Sequence, residues 1–218
     1  MQTEQIYTAI QILRQEVTQW PPALVDGMAL EARDPYKILI ATILSLRTKD
    51  TLTEKIAPKL FAMADTPTAM LTLSADEIAE LIYPVGFYRN KAKTIISVSR
   101  ILLDQHDGQV PDELDALLAL PGVGRKTANL VLIAGFNKPG ICVDIHVHRI
   151  SNRWGYVETK TPEKTEFALR NKLPPKYWLE YNALLVVFGQ NLCTPVSPWC
   201  SKCKLTELCD QVGVTKHR

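Results

Sequence analysis

Residues 120–129, Leu-Pro-Gly-Val-Gly-Arg-Lys-Thr-Ala-Asn, constrain the fold of this chain more than any other stretch. Segment 111–120 carries leucines at helical spacing, and 127–134 has the pattern of a second helix. Between them a proline with Gly122 and Gly124 predicts a tight turn, because glycine reaches positive φ without steric cost. Such a hairpin leaves backbone N–H groups free at the start of the second helix. These groups and the helix dipole suit an anion such as a DNA phosphate; the alternative is a helix corner without a ligand.

The rest of the chain also has helical patterns, and no segment shows the sustained polar–apolar alternation of a half-buried strand. Apolar stripes with helical spacing cover residues 6–20, 36–46, 87–105 and 178–188. Helix starts are predicted from capping signals at Asp34-Pro35, Thr51 with Glu54, Ser74 with Glu77, Asp144 and Thr161-Pro162. Residues 21–33 are interpreted as a connecting loop. The sequence therefore predicts an all-α fold of nine or ten helices.

Composition and charge exclude some classes of protein. A length of 218 residues is enough to bury a core in one domain or two small ones. The net charge is only +2, so any contact with nucleic acid must come from local basic patches. No apolar run reaches the ~20 residues of a membrane span, and the first residues lack the pattern of a signal peptide. We therefore expect an intracellular protein.

Four of the five cysteines lie close together near the end of the sequence, in the pattern Cys193-x6-Cys200-x2-Cys203-x5-Cys209. In a reducing compartment this density indicates a metal site in place of disulfides. A structural zinc ion most often has two short knuckles, and only one Cys-x2-Cys is present here. The spacing therefore favours a 4Fe–4S cluster over zinc, with unliganded thiols as the third possibility. Cys142 stands apart, between apolar residues, and is expected to be a buried core cysteine.

Lys126 and Asp144 are the candidate catalytic residues. Lys126 is predicted in the first turn of the second hairpin helix, where the dipole disfavours an ammonium and favours the neutral, nucleophilic amine. Such an amine forms Schiff bases with aldehyde-like carbons. Asp144 follows 18 residues later, at the start of the next helix. If both face one cavity, the carboxylate can deprotonate Lys126 and stabilise a cationic transition state; the alternatives are a surface lysine and a plain N-cap aspartate.

Taken together, these motifs resemble the endonuclease III family of helix-hairpin-helix DNA glycosylases. The resemblance rests on Leu-Pro-Gly-Val-Gly-Arg-Lys at 120–126, Val-Asp-Ile-His at 143–146 and the x6/x2/x5 cysteine spacing. It implies that Lys126 is the nucleophile, that Asp144 is the essential carboxylate, and that the four cysteines hold a 4Fe–4S cluster. It also implies a bifunctional enzyme that removes damaged, oxidised pyrimidines and cleaves the abasic site by β-elimination through a lysine Schiff base.

The same resemblance implies an architecture and a partner. Residues 28–138 are expected to form a six-helix barrel lobe with the hairpin, and residues 1–27 with 139–218 the cluster lobe. The partner is double-stranded DNA with a damaged base or abasic site, flipped into a pocket between the lobes and anchored at Gly122 and Gly124. A monomer is expected, in the cytoplasm or nucleoid of a prokaryote and without membrane association.

Departures from the family pattern affect the DNA contacts. Arg47 stands where the family usually has a glutamine that fills the gap left by the flipped base, and Phe87 stands at the position of an apolar wedge. An arginine can contact an orphaned guanine, so the alternative function is a thymine or uracil glycosylase acting on mismatches with guanine. His146, beside Asp144, is a candidate contact to DNA or else a hydrogen-bonded structural residue. An alternative of another class is a non-catalytic DNA-binding or redox-sensing iron–sulfur protein.

Overall fold

A computed structural model describes all 218 residues, Met1–Arg218, and contains helices and no strands. The predicted all-α, two-lobed fold is confirmed. One compact unit spans 24–138, and the other combines 1–23 with 139–218. There are twelve α-helices in place of the nine or ten predicted. None of them is long and apolar enough to cross a membrane.

The unit of residues 24–138 is built around a buried helix, α3. Its eight helices are α2 (Leu24–Glu31), α3 (Pro35–Ser45), α4 (Asp50–Met63), α5 (Pro67–Met70), α6 (Ala75–Ile82), α7 (Tyr88–His106), α8 (Leu114–Leu118) and α9 (Arg125–Phe136). As predicted, Asp34 caps α3, since its carboxylate accepts the N–H groups of Tyr36 and Lys37. Helix α9 packs along α3 so closely that a Cβ on Gly135 would lie 3.3 Å from Pro35 Cα. This packing fixes α9, the second helix of the hairpin, against the core of the unit.

Two predictions in this unit were wrong. Segment 21–33 is not only a loop, because α2 forms within it and packs on α3, α4 and α9. Gly27 weakens the local helical signal, and tertiary packing overrides it. The capping box at Thr51 does not form, because α4 begins one residue earlier with Lys49 as its N-cap. The Ser74–Glu77 capping box is present, with both reciprocal hydrogen bonds.

The second unit has its own hydrophobic core. Its helices are α1 (Gln5–Glu16), α10 (Ile145–Arg153), α11 (Pro162–Lys172) and α12 (Trp178–Asn191). Short 3-10 turns lie at Val17–Gln19, Pro175–Tyr177, Cys200–Lys202 and Thr206–Leu208. Helix α12 packs against both α1 and α10. The apolar stripe of α1 is fully buried in this core, which Trp154, Tyr181 and Phe188 complete. This packing positions the start of α10 and the cysteine segment.

Candidate active site and cysteine cluster

The helix-hairpin-helix has the predicted tight turn, although its two glycines have different roles. Gly122 has a φ of +74°, and an added Cβ would lie 2.8 Å from Thr94 Cγ2. Gly124 does not have positive φ; its φ is −96° and it is the N-cap of α9. The first intrahelical bond of α9 runs from the Ala128 N–H to the Gly124 carbonyl, so the amides before it have no acceptor within the helix. The hairpin thus presents the donors that an anion would accept.

Lys126 lies in the first turn of α9, as predicted, directly after these donors. Its side chain is half-buried. The ammonium makes no hydrogen bond and no ion pair in the structure, whereas that of Lys138, just beyond the other end of α9, is paired with Asp112. The Lys126 ammonium therefore holds no other part of the chain in place.

Asp144 is the N-cap of α10, as predicted, and uses only one carboxylate oxygen in this role. Oδ1 accepts the N–H groups of His146 and Val147, both at 2.8 Å. Oδ2 accepts no hydrogen bond, so the cap fixes the orientation of the carboxylate while it leaves one oxygen for chemistry. Lys126 belongs to the unit of residues 24–138, and Asp144 to the other unit.

The two histidines that follow Asp144 are held inside their own unit. His146 Nδ1 lies 3.1 Å from the Arg149 guanidinium. A Cβ added to Gly189 would lie only 2.6 Å from the same His146 Nδ1, so the ring packs closely against α12. His148 Nδ1 lies 2.6 Å from Thr165 Oγ1, and burial lowers the pKa of His148. Both rings are thus fixed by packing and hydrogen bonds, and DNA contact by His146 stays a prediction.

Arg47 and Phe87 lie together although 40 residues separate them in sequence. The Arg47 guanidinium lies 5.5 Å from the centre of the Phe87 ring, and both side chains are exposed. Each residue has a left-handed backbone, with φ of 54° and 58°. The structure therefore presents them as one paired surface feature, which the sequence did not indicate.

The four clustered cysteines line one cavity. Cys193, Cys200, Cys203 and Cys209 surround it with largely apolar neighbours that include Trp154, Phe188 and Leu192. None of the four forms a disulfide. No three His, Cys, Asp or Glu side chains converge on the position of a single metal ion. Cys142 lies away from this cavity and is buried at 1% exposure, as expected for a core cysteine.

Hydrogen-bond donors point at three of these sulfurs. The backbone N–H of Leu205 lies 3.4 Å from Cys203 Sγ, and that of Gln211 lies 3.4 Å from Cys209 Sγ. The Arg153 guanidinium lies 3.5 Å from Cys193 Sγ. Burial raises the thiol pKa of Cys200 and Cys203, and that of Cys209 to about 11. These three thiols therefore favour the protonated form near neutral pH, and N–H donors of this kind stabilise thiolates that act as metal ligands.

Arg153 was not identified from the sequence. Its guanidinium, which is almost fully buried, donates to the carbonyls of Thr194 (2.7 Å) and Pro195 (2.6 Å), and so holds the loop between the first two cysteines. The sequence did contain a signal for its burial, because Arg153 follows the apolar Ile150 by three residues and precedes Trp154, and both of these residues are buried. Lysines near the cysteines make contacts within the chain: Lys202 lies over the Trp199 ring, and Lys204 pairs with Glu16.

Comparison with known proteins relates this arrangement to a family. Residues 40–175 match the family model described as HhH-GPD superfamily base excision DNA repair protein. Endonuclease III of Thermotoga maritima is 49% identical over 177 residues, which cover 81% of this chain and 83% of that protein.

Solved structures give the same relationship in three dimensions. A trapped covalent intermediate of endonuclease III with DNA, in an estranged-adenine complex, superposes with a TM-score of 0.87 at 33% identity and covers 97% of both chains. A thermostable thymine-DNA glycosylase superposes with a TM-score of 0.75 at 26% identity, covering 93% of this chain and 97% of that one. The chain therefore belongs to the endonuclease III family, within the HhH-GPD superfamily of base excision DNA repair proteins.

Proposed function

We propose that this chain removes oxidised pyrimidines from double-stranded DNA and cleaves the resulting abasic site, with Lys126 as nucleophile. The observation that carries this assignment is the unpaired amine of Lys126, in the first turn of the hairpin helix, in a member of the endonuclease III family. An ordinary surface lysine at a helix N-terminus would be placed unfavourably with respect to the dipole. Here the same placement puts the amine beside the backbone donors that would hold a DNA phosphate, where a nucleophile of this kind is needed.

The reaction begins with attack of the Lys126 Nζ lone pair on C1′ of the damaged nucleotide. A bond from C1′ to Nζ forms, and the glycosidic bond breaks with its electron pair leaving on the base, which is then protonated. Opening of the sugar ring gives an imine between Nζ and C1′. Loss of a proton from C2′ then expels the 3′ phosphate by β-elimination, and hydrolysis of the imine releases Lys126.

In this proposal Asp144 supplies the negative charge of the site. Its Oδ2 is free of hydrogen bonds, so it can stabilise positive charge that develops on the sugar. Its Oδ1 stays bound to the two amides of α10, which prevents the carboxylate from rotating away. The cap is thus a positioning device for the reactive oxygen.

Contacts to DNA come from the hairpin and from the Arg47–Phe87 pair. The amides of Gly122 and Gly124 and those of the first turn of α9 bind a backbone phosphate, which fixes the position of the protein along the DNA without reading the base sequence. Arg47 and Phe87, exposed and adjacent, enter the duplex where the nucleotide is flipped out. We assign the hairpin to the lobe of residues 24–138 and the cysteines to the lobe of 1–23 with 139–218, so that the expected boundary at residue 28 moves to the start of α2, in a chain that acts as a monomer.

We further propose that Cys193, Cys200, Cys203 and Cys209 hold a 4Fe–4S cluster. Support comes from the cavity that the four cysteines share and from the N–H donors aimed at their sulfurs. When bound, the cluster would link the cysteine segment into one rigid unit. An absorption band near ~400 nm is expected from the anaerobically purified protein, and a colourless zinc-containing preparation would refute the assignment.

Borohydride trapping tests the nucleophile. Wild-type protein with abasic DNA should give a covalent adduct, because the reagent reduces the imine to a stable amine. No adduct with wild type would remove the lyase activity and favour a non-catalytic DNA-binding protein. An undiminished adduct with Lys126→Ala would remove this lysine from the role; Lys138→Ala, which changes another lysine of the same unit, is the matched control.

The alternative substrate is a thymine or uracil paired with guanine, and a feature in its favour is the exposed Arg47, which stands where the family usually has a gap-filling glutamine. A panel of duplexes, each with one lesion and a varied opposite base, separates the two. Equal activity on thymine glycol opposite adenine and opposite guanine contradicts the mismatch function.

A further inference from the structure

Two loops that carry the Arg47–Phe87 pair are in direct backbone contact. The Gly86 N–H donates to Thr48 Oγ1 at 3.2 Å, and a Cβ on Gly86 would lie 2.7 Å from the Arg47 carbonyl oxygen. Only a glycine allows this approach. Arg47 precedes Thr48 and Phe87 follows Gly86, and both have a left-handed backbone, which is unfavourable for residues with a Cβ. Such conformations persist only where the surroundings enforce them.

The side chain of Lys91 lies beneath this contact. Lys91 is on the first turns of α7, and its own N–H donates to the Phe87 carbonyl at 3.0 Å. Its ammonium donates to the carbonyls of Leu44 (2.7 Å) and Leu46 (2.6 Å) and to Thr48 Oγ1 (3.1 Å). The side chain of Lys91 therefore binds the residues on both sides of Arg47. Its backbone binds Phe87, the residue just before α7.

This placement is costly for stability alone. Lys91 is only 7% exposed, and all three of its acceptors are neutral oxygens, so the charge is buried without a counter-ion. Burial lowers the pKa of Lys91 to about 8, while the three acceptors favour the charged form. A methionine of similar length would avoid the desolvation cost. What methionine cannot supply is three donors that join the end of α3 to the loop after it.

We propose that Lys91 is a positioning residue, which locks the Arg47 loop and the Phe87 loop into one unit that enters the DNA gap. The proposal rests on the function proposed above, because it gives the paired loops their role. Lys91 itself does not touch the substrate. It acts through Arg47 and Phe87, because its hydrogen bonds fix the backbone of the two loops that carry them.

The test compares Lys91→Met with Lys93→Met. Lys93 is exposed and two residues further along the same helix, so its replacement removes an equal charge without touching the loops. For each protein we would measure kcat/KM for base removal from a thymine glycol duplex, and Kd for a duplex with a tetrahydrofuran abasic analogue. Lys91→Met should lower kcat/KM by about 10- to 100-fold, as expected when binding groups are displaced by about 1 Å. Lys93→Met should stay within about 2-fold of wild type.

A double-mutant cycle distinguishes positioning from a general loss of stability. In an Arg47→Ala/Phe87→Ala background, Lys91→Met should have little further effect, because the groups it positions are absent. An equal fold-loss in both backgrounds would overturn the proposal, as would a Lys91→Met protein that behaves like Lys93→Met. If Lys91→Met does not fold, Thr48→Val takes its place. It removes the oxygen shared by Lys91 and Gly86 at nearly constant volume, and unchanged kcat/KM and Kd in it would equally overturn the proposal.

Failure of the proposed function gives a different result. A wild-type protein that releases no base from any lesion contradicts the function, while the Kd comparison, which requires no chemistry, still decides the role of Lys91.

Discussion

Replacing Asp144 separates its capping role from its proposed catalytic role. Asparagine keeps an Oδ1 that can accept the same two N–H groups, of His146 and Val147, and asparagine caps helices about as well as aspartate. Asp144→Asn therefore loses only the charge at the helix N-terminus, worth about 0.3–1 kcal/mol. Asp144→Ala loses the charge and both hydrogen bonds, and the missing cap costs about 0.5–2 kcal/mol more.

These values predict different thermal stabilities. In a chain of this size 1 kcal/mol shifts Tm by about 2–4 °C, so the asparagine variant should melt within ~4 °C of wild type and the alanine variant at a lower temperature still. Both variants remove the carboxylate charge. Both should therefore lose base-excision activity by a similar factor, about 10²- to 10⁴-fold.

The assay is single-turnover release of thymine glycol from a duplex, measured together with thermal unfolding of the same preparations. The expected combination is a nearly intact fold and a large loss of activity in Asp144→Asn. An asparagine variant that keeps activity within about 3-fold of wild type would show that Asp144 is only an N-cap, and would refute our reasoning.

Three further predictions concern the supporting residues. Arg153→Met should lower the free energy of unfolding by roughly 2–4 kcal/mol, because two loop carbonyls lose charged donors; thermal melting checks this, and an unchanged Tm would contradict it. Gly86→Ala should cost about 1–3 kcal/mol because its Cβ would meet the Arg47 carbonyl, whereas Gly124→Ala, with nothing within 4 Å, should cost less in urea unfolding. Because the pKa of Lys91 is lowered to about 8 in the fold, the unfolded chain binds more protons above that pH. Wild type should therefore gain stability relative to Lys91→Met from pH 8 to 10, by at most ~3 kcal/mol, and a constant difference over this range would refute it.

Much of the candidate site follows from contacts between residues close in sequence. The caps at Asp34, Ser74 and Asp144 formed as predicted, because an N-cap depends on amides two or three residues further along the chain. The same holds for Lys126, whose place in the first turn of α9 follows from the glycines just before it. Segments with weak local signals were predicted poorly: α2 forms through packing on three other helices, and α4 begins without a side-chain cap.

What the sequence by itself determined is therefore the all-helical fold, the hairpin with its lysine, the aspartate cap and the spacing of the four cysteines. Only the tertiary structure decided which distant groups meet. It placed Arg47 against Phe87, put the buried ammonium of Lys91 beneath them, and set Arg153 under the cysteine loop. The contacts of Lys91 and Arg153 join segments about 40 residues apart through backbone carbonyls. A carbonyl belongs to every residue, so no side-chain pattern in the sequence marks the one that a distant lysine or arginine will bind.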